Sequence, residues 1–320
     1  MPWAERRLRR WARQLGRSAA TQIGAGLHQL FGRRARGALG VLLYHRIAAP
    51  VRGLPAPLYN VVPRRFRQQI QGILARGYQA WPLGKVLDFH EAGRTIPEKI
   101  FVVTFDDGYG NVYQNAWPIL KELQVPATIF LTTGWLDRGG PFPFDVWGMR
   151  YRDRLPPVAY RPLSTAECQE LLASGLIEFG SHTHSHADFR GRPEEFLQDL
   201  HASVAVLRER FGIGKMAFAF PFGYEYRRTF GEELALAARR DGVRCSLSAT
   251  AELVRVGSDP FDWGRFGVEP TETAAHLAGK LDGWFGLFRD VWVRLSRSGA
   301  VPSRNANGRL VGTGRERVGL

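Results

Sequence analysis

The sequence predicts an α/β domain built on a parallel sheet, which is either a (β/α) barrel or a doubly wound open sheet. Apolar runs of strand length alternate with amphipathic helical segments from residue 40 to residue 285, a pattern typical of strands that are connected by helices. Two of these runs end in polar clusters, the carboxylate pair Asp106-Asp107 and the histidine-rich segment 182–186. With 44% hydrophobic residues the chain can bury a large core, so we expect one folded domain over residues 37–285, flanked by two tails.

The central element of the first half is the run Ile100–Phe105, whose apolar and β-branched residues predict a buried parallel strand. Before it, strand 40–47 contains the sequence YHRI and carries His45 at its end. The other elements predicted before residue 134 are helix 63–76, strand 78–81, helix 83–91, helix 111–123 and strand 126–133. Residues 134–162 are rich in glycine, proline and aromatic side chains, and a segment of this length predicts a functional rim.

The second half opens with Ser164 and Glu167, which are spaced as a helix N-terminal capping sequence. After them, the segment LIEFGS at residues 176–181 predicts the strand that leads into the histidine cluster. The other elements predicted here are helix 164–174, helix 193–211, strand 215–223, helix 229–240, strand 243–249, strand 263–268 and helix 273–285. This order continues the alternation of strands and helices seen in the first half.

The formal net charge of +14 is concentrated at the two ends of the chain, because residues 1–40 contain nine arginines and residues 285–320 contain seven. No groove-reading or base-stacking motif accompanies this charge, so we expect no nucleic acid partner. In residues 1–36 the arginines alternate with apolar side chains at helical spacing. Such a pattern indicates either an amphipathic arm on an anionic membrane surface or a solvated basic helix or disordered arm. Residues 286–320 are basic without a clear apolar period, which predicts a disordered tail.

Two further features bear on the compartment. The only cysteines, Cys168 and Cys245, indicate neither a disulfide framework nor a thiolate metal site. The apolar segment 37–44 is too short to span a bilayer, and no continuous apolar region of a signal peptide follows the basic N-terminus. We therefore expect a cytoplasmic location, with peripheral contact to the inner membrane surface through the Arg-rich arm.

The spacing of the histidines suggests a metal site. His182 and His186 are four residues apart, so if the chain turns into a helical arc after the strand, both imidazoles lie on one face. A carboxylate from another strand end completes an Asp-His-His set with open positions for water and substrate, while His184 points elsewhere. Nitrogen and oxygen ligands of this kind suit zinc, cobalt, nickel or iron better than calcium.

Each cluster also has an alternative interpretation. Three histidines within five residues occur in exposed polar loops, and adjacent carboxylates before Gly108 occur in Asx-type turns. Paired carboxylates also hold magnesium in phosphatases. The chain has no Gly-rich phosphate loop, so the presence of both clusters favours the Asp-His-His site over a phosphoryl-transfer site.

The motifs TFDDG at residues 104–108 and H-T-x-S-H at residues 182–186 resemble those of the polysaccharide deacetylase (NodB-homology) family, carbohydrate esterase family four. The similarity runs from about residue 40 to residue 283 and includes YHRI, FLTTG, FAFPFG and a late R-x-G-V segment at Arg265. Two separated motifs in the family's order make the resemblance specific. It implies a distorted (β/α) barrel of seven or eight units and a metal-dependent N-deacetylase, with zinc as the expected metal and cobalt or nickel as alternatives.

The resemblance also implies roles for the matching residues. Asp106 corresponds to the general base, and Asp107, His182 and His186 correspond to the metal ligands. In this chemistry the metal acts as a Lewis acid and holds the attacking water. A carboxylate that does not bind the metal removes the proton of that water. The backbone N–H of Tyr109 is the expected oxyanion donor, and Phe222 is a further candidate for substrate contact.

The chain departs from the family pattern in two motifs. The third motif, here residues 219–223, lacks the arginine that orients the base, and Arg265 at a later strand end is our candidate substitute, against the alternative of a surface arginine. The late motif with a catalytic acid histidine is not visible, and His276 fits a structural helix position. His45 is the better candidate for an acid or supporting role, and a structural core histidine is an equal alternative.

We therefore predict a hydrolase of carbon–nitrogen bonds other than peptide bonds, which removes N-acetyl groups from an exopolysaccharide, peptidoglycan or lipid-linked glycan. The expected partner is an N-acetylated glycan. Two alternatives stay open at this point. One is a catalytically impaired carbohydrate-binding protein on the same fold, since a fold does not guarantee its chemistry, and the other is a metal-dependent amidohydrolase of a non-sugar amide.

Overall fold

The computed structural model describes residues 22–26, 37–223, 238–255 and 257–285, together with the backbone of 303–304 and 310–311. The strands of the domain are β1 (Ala38–Tyr44), β2 (Arg46–Ile47), β3 (Asn60–Val61), β4 (Gln79–Ala80), β5 (Ile100–Phe105), β6 (Ala127–Leu131), β7 (Ile177–Ser181), β8 (Met216–Ala219), β9 (Val243–Leu247), β10 (Val254–Arg255) and β11 (Phe266–Gly267). The helices are α1 (Pro63–Leu74), α2 (Leu83–Glu91), α3 (Trp117–Leu123), α4 (Val146–Tyr151), α5 (Thr165–Ala173), α6 (Pro193–Phe211) and α7 (Ala274–Leu281).

The central sheet runs in the order β10-β1-β5-β6-β7-β8-β9. Neighbouring strands are parallel, except that β10 pairs with β1 antiparallel. Strand β4 pairs with β5, and β11 pairs with β1. The segment before β11 also reaches the far edge of the sheet, because Trp263 forms a parallel bridge with Leu247 at the end of β9. The sheet therefore curls back towards its first strand, as a distorted barrel does and an open doubly wound sheet does not.

Strand β5 shows how the barrel brings polar residues to its mouth. Phe101 and Phe105 belong to the core between the sheet and the helices, whereas Val102 belongs to the core inside the barrel. Successive side chains of a strand point to opposite faces, so Asp106, four residues after Val102, continues the interior face. The carboxyl end of β5 therefore directs Asp106 into the barrel mouth.

Helix α2 closes the opposite end of the barrel. Its Leu83, Val86 and Leu87 are buried and belong to the interior core. The carboxylate of Glu178, on β7, accepts a hydrogen bond of 3.1 Å from the Gly84 N–H in the first turn of this helix. The interior is thus covered by helix α2 at one end, while the carboxylate pair and the histidine segment lie at the other.

Two predicted helices have the features expected from their sequences. Helix α1 buries Phe66, Ile70 and Ile73 along one stripe. Helix α5 begins with reciprocal capping bonds between Ser164 and Glu167. Helix α1 therefore packs against the core through its apolar stripe, and α5 begins where its capping sequence predicts.

Three segments differ from the sequence prediction. Strand 40–47 divides into β1 and β2, with His45 between them. The predicted helix 111–123 begins as a π-helical turn, where Asn111 and Asn115 bond through their side chains to the backbone of Ile47. The rim 134–162 contains α4, whose N-terminus is capped by Asp145 through a 2.9 Å bond from the Gly148 N–H.

The predictions for the chain ends fall largely outside the described residues. Only 22–26 of the predicted arm 1–36 and only 238–240 of the predicted helix 229–240 are described. In the tail, β12 (Ser303–Arg304) pairs antiparallel with β13 (Leu310–Val311). The sequence had predicted a disordered tail without strands. None of the helices in the described ranges combines the length and the hydropathy that crossing a membrane requires.

Candidate metal centre and active site

The carboxylate pair lies in a tight turn at the end of β5. The Asp106 N–H still bonds to the Tyr44 carbonyl of β1 at 3.0 Å. The chain then turns through two left-handed residues, Asp107 with φ +72° and Gly108 with φ +81°. A Cβ on Gly108 would lie 2.8 Å from the Leu131 side chain, so this position requires glycine for both its conformation and its space. The turn gives the two adjacent carboxylates different partners.

The histidine segment follows β7 and is not helical. The His182 N–H bonds to the neighbouring strand β6 at 2.9 Å, so this residue extends the strand pairing. Thr183 and His186 have left-handed φ values of +67° and +59°, and they turn the chain where the sequence argument had assumed a helical arc. Thr183 Oγ1 accepts from the His186 N–H at 3.0 Å, and Asp199 of α6 accepts from the His184 N–H at 2.6 Å.

The three predicted metal ligands come together at this turn. Asp107 Oδ1 lies 3.4 Å from His182 Nε2 and 3.5 Å from His186 Nε2. All three residues are buried, and one ligand atom from each lies within 4.8 Å of the others. Two ligand atoms bound about 2.0–2.2 Å from a tetrahedral zinc are about 3.3 Å apart, so both measured separations fit such an ion. His184 lies outside the set, with its Nδ1 3.0 Å from Thr133 Oγ1.

The electrostatics of His186 and Asp107 suit a metal. At His182, by contrast, burial lowers the pKa but the carboxylates of Asp106 and Asp107 outweigh burial and raise it. His182 Nδ1 lies 2.9 Å from the Ala219 carbonyl oxygen, which can only accept, so Nδ1 carries the proton and Nε2 faces Asp107. Burial, together with the charge of His182, lowers the pKa of His186 to about 4. Burial raises the pKa of Asp107, but the His182 hydrogen bond and the neighbouring imidazoles outweigh it and hold that pKa well below its usual range. An ionised carboxylate beside a neutral imidazole is what metal binding requires.

Arg265 supplies the contact that the third motif lacks. Its guanidinium donates to both oxygens of Asp106, at 2.6 and 2.8 Å. The same side chain donates to the Ser248 carbonyl at 3.2 Å and to Thr104 Oγ1 at 3.3 Å. Arg265 has no exposed area, so the alternative of a surface arginine is wrong.

Asp106 is thereby held apart from the metal ligands. Its Oδ2 lies 3.9 Å from His182 Nε2, further than the 3.4 Å of Asp107 Oδ1. Burial raises the pKa of Asp106, but the charges of Arg265 and His182 outweigh burial, so the pKa lies below its ordinary value. An ionised carboxylate that lies next to the candidate metal ligands without being one of them can accept a proton from a water molecule.

His45 lies at the mouth of the barrel, between β1 and β2. Its ring stacks on the ring of Tyr59, with centroids 4.8 Å apart and planes at 21°. Burial lowers the pKa of His45, while the charges of Asp107 and Asp106 oppose that lowering. His45 is therefore electrostatically coupled to both carboxylates, and its role as an acid stays a prediction.

Tyr109 follows the carboxylate turn and is fixed by its side chain and by its neighbours. Its buried hydroxyl accepts from Arg46 at 2.8 Å. The adjacent glycines pair with the segment 161–163, through Gly110 N–H to the Arg161 carbonyl and the Leu163 N–H to the Gly108 carbonyl. In this pairing the Tyr109 N–H points away from that segment, and its role as an oxyanion donor stays a prediction.

Phe222 lies on the other side of the histidine ligands. It has a left-handed φ of +59° and is 55% exposed. Its ring meets the ring of His186 at 4.8 Å and 66°. An exposed ring beside a metal ligand is placed to meet a substrate, and this role also stays a prediction.

Sequence reasoning missed the groups that hold the ligands in place. The Ala219 carbonyl acts through the backbone and leaves no side-chain signal, and Asp199 is an ordinary polar residue of a helix in the sequence. Phe144, whose ring stacks on His186 at 3.8 Å and 21°, lies in the aromatic rim. The aromatic content of that rim was the only signal that pointed to it.

Comparison with known proteins finds a family that is similar to the segment containing most of this site. Residues 93–244 match the family model described as polysaccharide deacetylase, a range that contains the carboxylate pair and both histidine ligands but not His45 or Arg265. Over this range the chain is similar to the polysaccharide deacetylase family. The resemblance that the two sequence motifs indicated is therefore confirmed over residues 93–244.

Two curated relatives and one solved structure illustrate the similarity. Poly-beta-1,6-N-acetyl-D-glucosamine N-deacetylase from Staphylococcus epidermidis is 26% identical over 212 residues, which cover 63% of this chain and 66% of the relative. The protein of that name from Staphylococcus aureus is 23% identical over 235 residues, covering 71% of this chain and 73% of the relative. The structure of IcaB from Ammonifex degensii aligns with a TM-score of 0.63 and 26% identity over 78% of this chain and 97% of that one, which confirms the predicted fold.

Proposed function

We propose that this protein is a metal-dependent N-deacetylase that removes acetyl groups from N-acetylated amino sugars of a polysaccharide. The observation that carries the proposal is that two adjacent carboxylates contact different partners. Asp107 faces the two imidazoles, whereas Asp106 is bound by the buried guanidinium of Arg265. The names of the relatives support β-1,6-linked N-acetylglucosamine as the substrate class.

In the proposed reaction, water adds to the acetamide carbon, the carbon–nitrogen bond breaks, and acetate and a free amine leave. A divalent metal bound by Asp107, His182 and His186 supplies Lewis acidity for the carbonyl and the water. Asp106 takes the proton of the attacking water, and its two bonds from Arg265 keep it oriented and ionised.

Two further residues complete the proposed chemistry. The Tyr109 N–H donates to the oxygen that becomes negatively charged during addition. His45, at the barrel mouth and coupled to both carboxylates, delivers a proton to the departing amine nitrogen. The imidazole and carboxylate ligands favour zinc, with cobalt or nickel as substitutes.

The alternative of an impaired carbohydrate-binding protein rested on the missing third-motif arginine. Arg265 makes the missing contact from the segment just before β11, which favours an active enzyme over this alternative. The alternative of an amidohydrolase of non-sugar amides is tested by comparing acetate release from sugar oligomers with acetate release from simple acetamides.

The test uses purified protein loaded with zinc or cobalt and offered β-1,6-linked N-acetylglucosamine oligomers, with acetate as the measured product. Release of acetate that depends on the metal and is absent for Asp106→Asn supports the proposal. Sugar binding without acetate release under any of these metals would instead support the impaired protein. Release from simple acetamides but not from the oligomers would support the amidohydrolase.

We also propose a cytoplasmic location with contact between the arginine-rich residues 1–36 and the inner membrane surface. Their nine arginines against a single acidic residue support attraction to anionic lipid. The full chain and a variant without residues 1–36 are compared for sedimentation with vesicles of phosphatidylglycerol and phosphatidylcholine. Equal sedimentation of the two proteins would refute the membrane contact.

A further inference from the structure

The two ligand histidines are held in different ways. A metal-binding imidazole usually donates its second ring N–H to an acceptor, which fixes the ring orientation. His182 has such a partner in the Ala219 carbonyl, 2.9 Å from its Nδ1. The Nδ1 of His186 is buried, and no other residue in the described ranges offers it a hydrogen bond. Another interaction must therefore fix the orientation of the His186 ring.

Aromatic stacking replaces the missing hydrogen bond. Phe144 lies face to face with the His186 imidazole, with centroids 3.8 Å apart and planes at 21°. Phe142 stacks on the other side of Phe144 at 4.9 Å and 25°, and its own ring meets Tyr109 edge-on at 4.9 Å. These four rings, Tyr109, Phe142, Phe144 and His186, form a continuous series of ring contacts that we call the aromatic bridge. It joins the carboxylate turn after β5 to the histidine segment after β7.

The bridge is anchored by a buried ion pair next to it in the chain. Asp145 pairs with the Arg46 guanidinium, and both side chains are buried. Arg46 also donates to the Tyr109 hydroxyl at 2.8 Å and to the Ala159 carbonyl at 2.9 Å. The residue after Phe144 is therefore locked to the same tyrosine that begins the bridge. Phe144 is therefore held both by its ring contact with Phe142 and by the ion pair of the next residue, Asp145. A ring held in this way can keep the stacked imidazole of His186 in one orientation.

We propose that Phe144 is a positioning residue for His186, and that it does for this ligand what the Ala219 carbonyl does for His182. The stack holds the imidazole plane so that Nε2 faces Asp107 before a metal arrives. The inference rests on the metal site of the proposed function. It adds that a residue of the rim, which offers no ligand atom, controls metal affinity.

The test measures zinc affinity of the apo protein by competition with a chromogenic chelator. Removal of a group that orients a metal ligand typically weakens binding about 10- to 100-fold, so we expect that loss for Phe144→Leu. Phe144→Tyr keeps an aromatic ring in the stack and should keep the affinity of the wild type. Phe211→Leu is the matched control, because it replaces another half-buried phenylalanine that packs on Phe179, away from the site.

Thermal unfolding of each apo variant separates positioning from packing. A lower unfolding temperature for Phe144→Leu with unchanged zinc affinity would mean that Phe144 only packs, and would overturn the inference. Equal losses of affinity in Phe144→Leu and Phe144→Tyr would overturn it too. If Phe144→Leu fails to unfold cooperatively, Phe144→Met takes its place. Failure of the wild type to bind zinc would refute the proposed function, whereas normal binding by every variant would refute only this inference.

Discussion

The two ends of the barrel both contain inward-facing polar residues, but they differ in how these residues are satisfied. At the closed end, Glu178 of β7 accepts from the Gly84 N–H and from Thr128 Oγ1, both at 3.1 Å. At the open end, His182 continues the face of Glu178 and Gly180. It lies beside the carboxylates of Asp106 and Asp107 and the imidazole of His186. Strand β7 thus carries a structural carboxylate near its start and leads into a candidate metal-binding histidine directly after its end.

The backbone separates the two ends as clearly as the side chains do. Four of the eight described non-glycine residues with left-handed φ lie around the metal ligands at the open end: Asp107, Thr183, His186 and Phe222. Such conformations cost about 1–3 kcal/mol each and persist where surrounding contacts enforce them. At the closed end a half-buried carboxylate with neutral donors supports the structure. At the open end, clustered titratable groups on strained backbone mark the candidate site.

The largest expected effect tests which histidines belong to the site. His182→Ala removes a ligand, so zinc binding and acetate release should both be lost, because three protein ligands are the usual minimum of a catalytic zinc site. His184→Ala is the matched control, since His184 bonds to Thr133 and lies outside the ligand set. Equal loss of zinc from both variants, measured by elemental analysis, would contradict the assignment.

The next effect separates the two carboxylates. Asp106→Asn removes the proposed base and should lower acetate release by about 10²- to 10⁴-fold, the usual contribution of general base catalysis. Bound zinc should stay at one ion per chain, because Asp106 is paired with Arg265 rather than with the histidines. A zinc-free Asp106→Asn protein would show that the roles of the two carboxylates are exchanged.

The arginine that holds the base should matter for both stability and rate. Arg265→Gln leaves a buried carboxylate without its partner, and breaking a buried pair costs about 3–5 kcal/mol of unfolding free energy. Denaturant unfolding measures this loss, and acetate release should fall with it. Arg244→Gln is the control at the closed end, where Arg244 pairs with the exposed side chains of Asp88 and Glu91. A similar small loss in both variants would mean that Arg265 is not the special partner of Asp106.

The smallest effect is expected at the closed end. Glu178→Gln weakens the hydrogen bonds to Gly84 and Thr128 and should cost about 1 kcal/mol of unfolding free energy. Acetate release per folded molecule should equal that of the wild type. A loss of turnover without a loss of stability would show that the closed end takes part in the chemistry.

Much of this arrangement could be predicted from the sequence because it depends on local patterns. Apolar runs located β5 and β7, and the polar residues at their ends form the candidate metal set. The sequence could suggest the pairing of Arg265 with Asp106 but could not establish it, since the two residues are 159 positions apart and meet only when the sheet curls closed. The turn through Thr183 and the stack of Phe144 on His186 could not be predicted, because they depend on backbone conformation and on a rim with no regular pattern.

The central claim is that Asp107, His182 and His186 bind one metal while Asp106 stays with Arg265. Anomalous diffraction at the zinc edge from a zinc-loaded crystal tests it most directly. The claim predicts a single strong peak about 2.0–2.2 Å from Asp107 Oδ1 and from both Nε2 atoms, with the Asp106–Arg265 pair intact. A peak bound by Asp106, or a zinc site that leaves out His186, would contradict it.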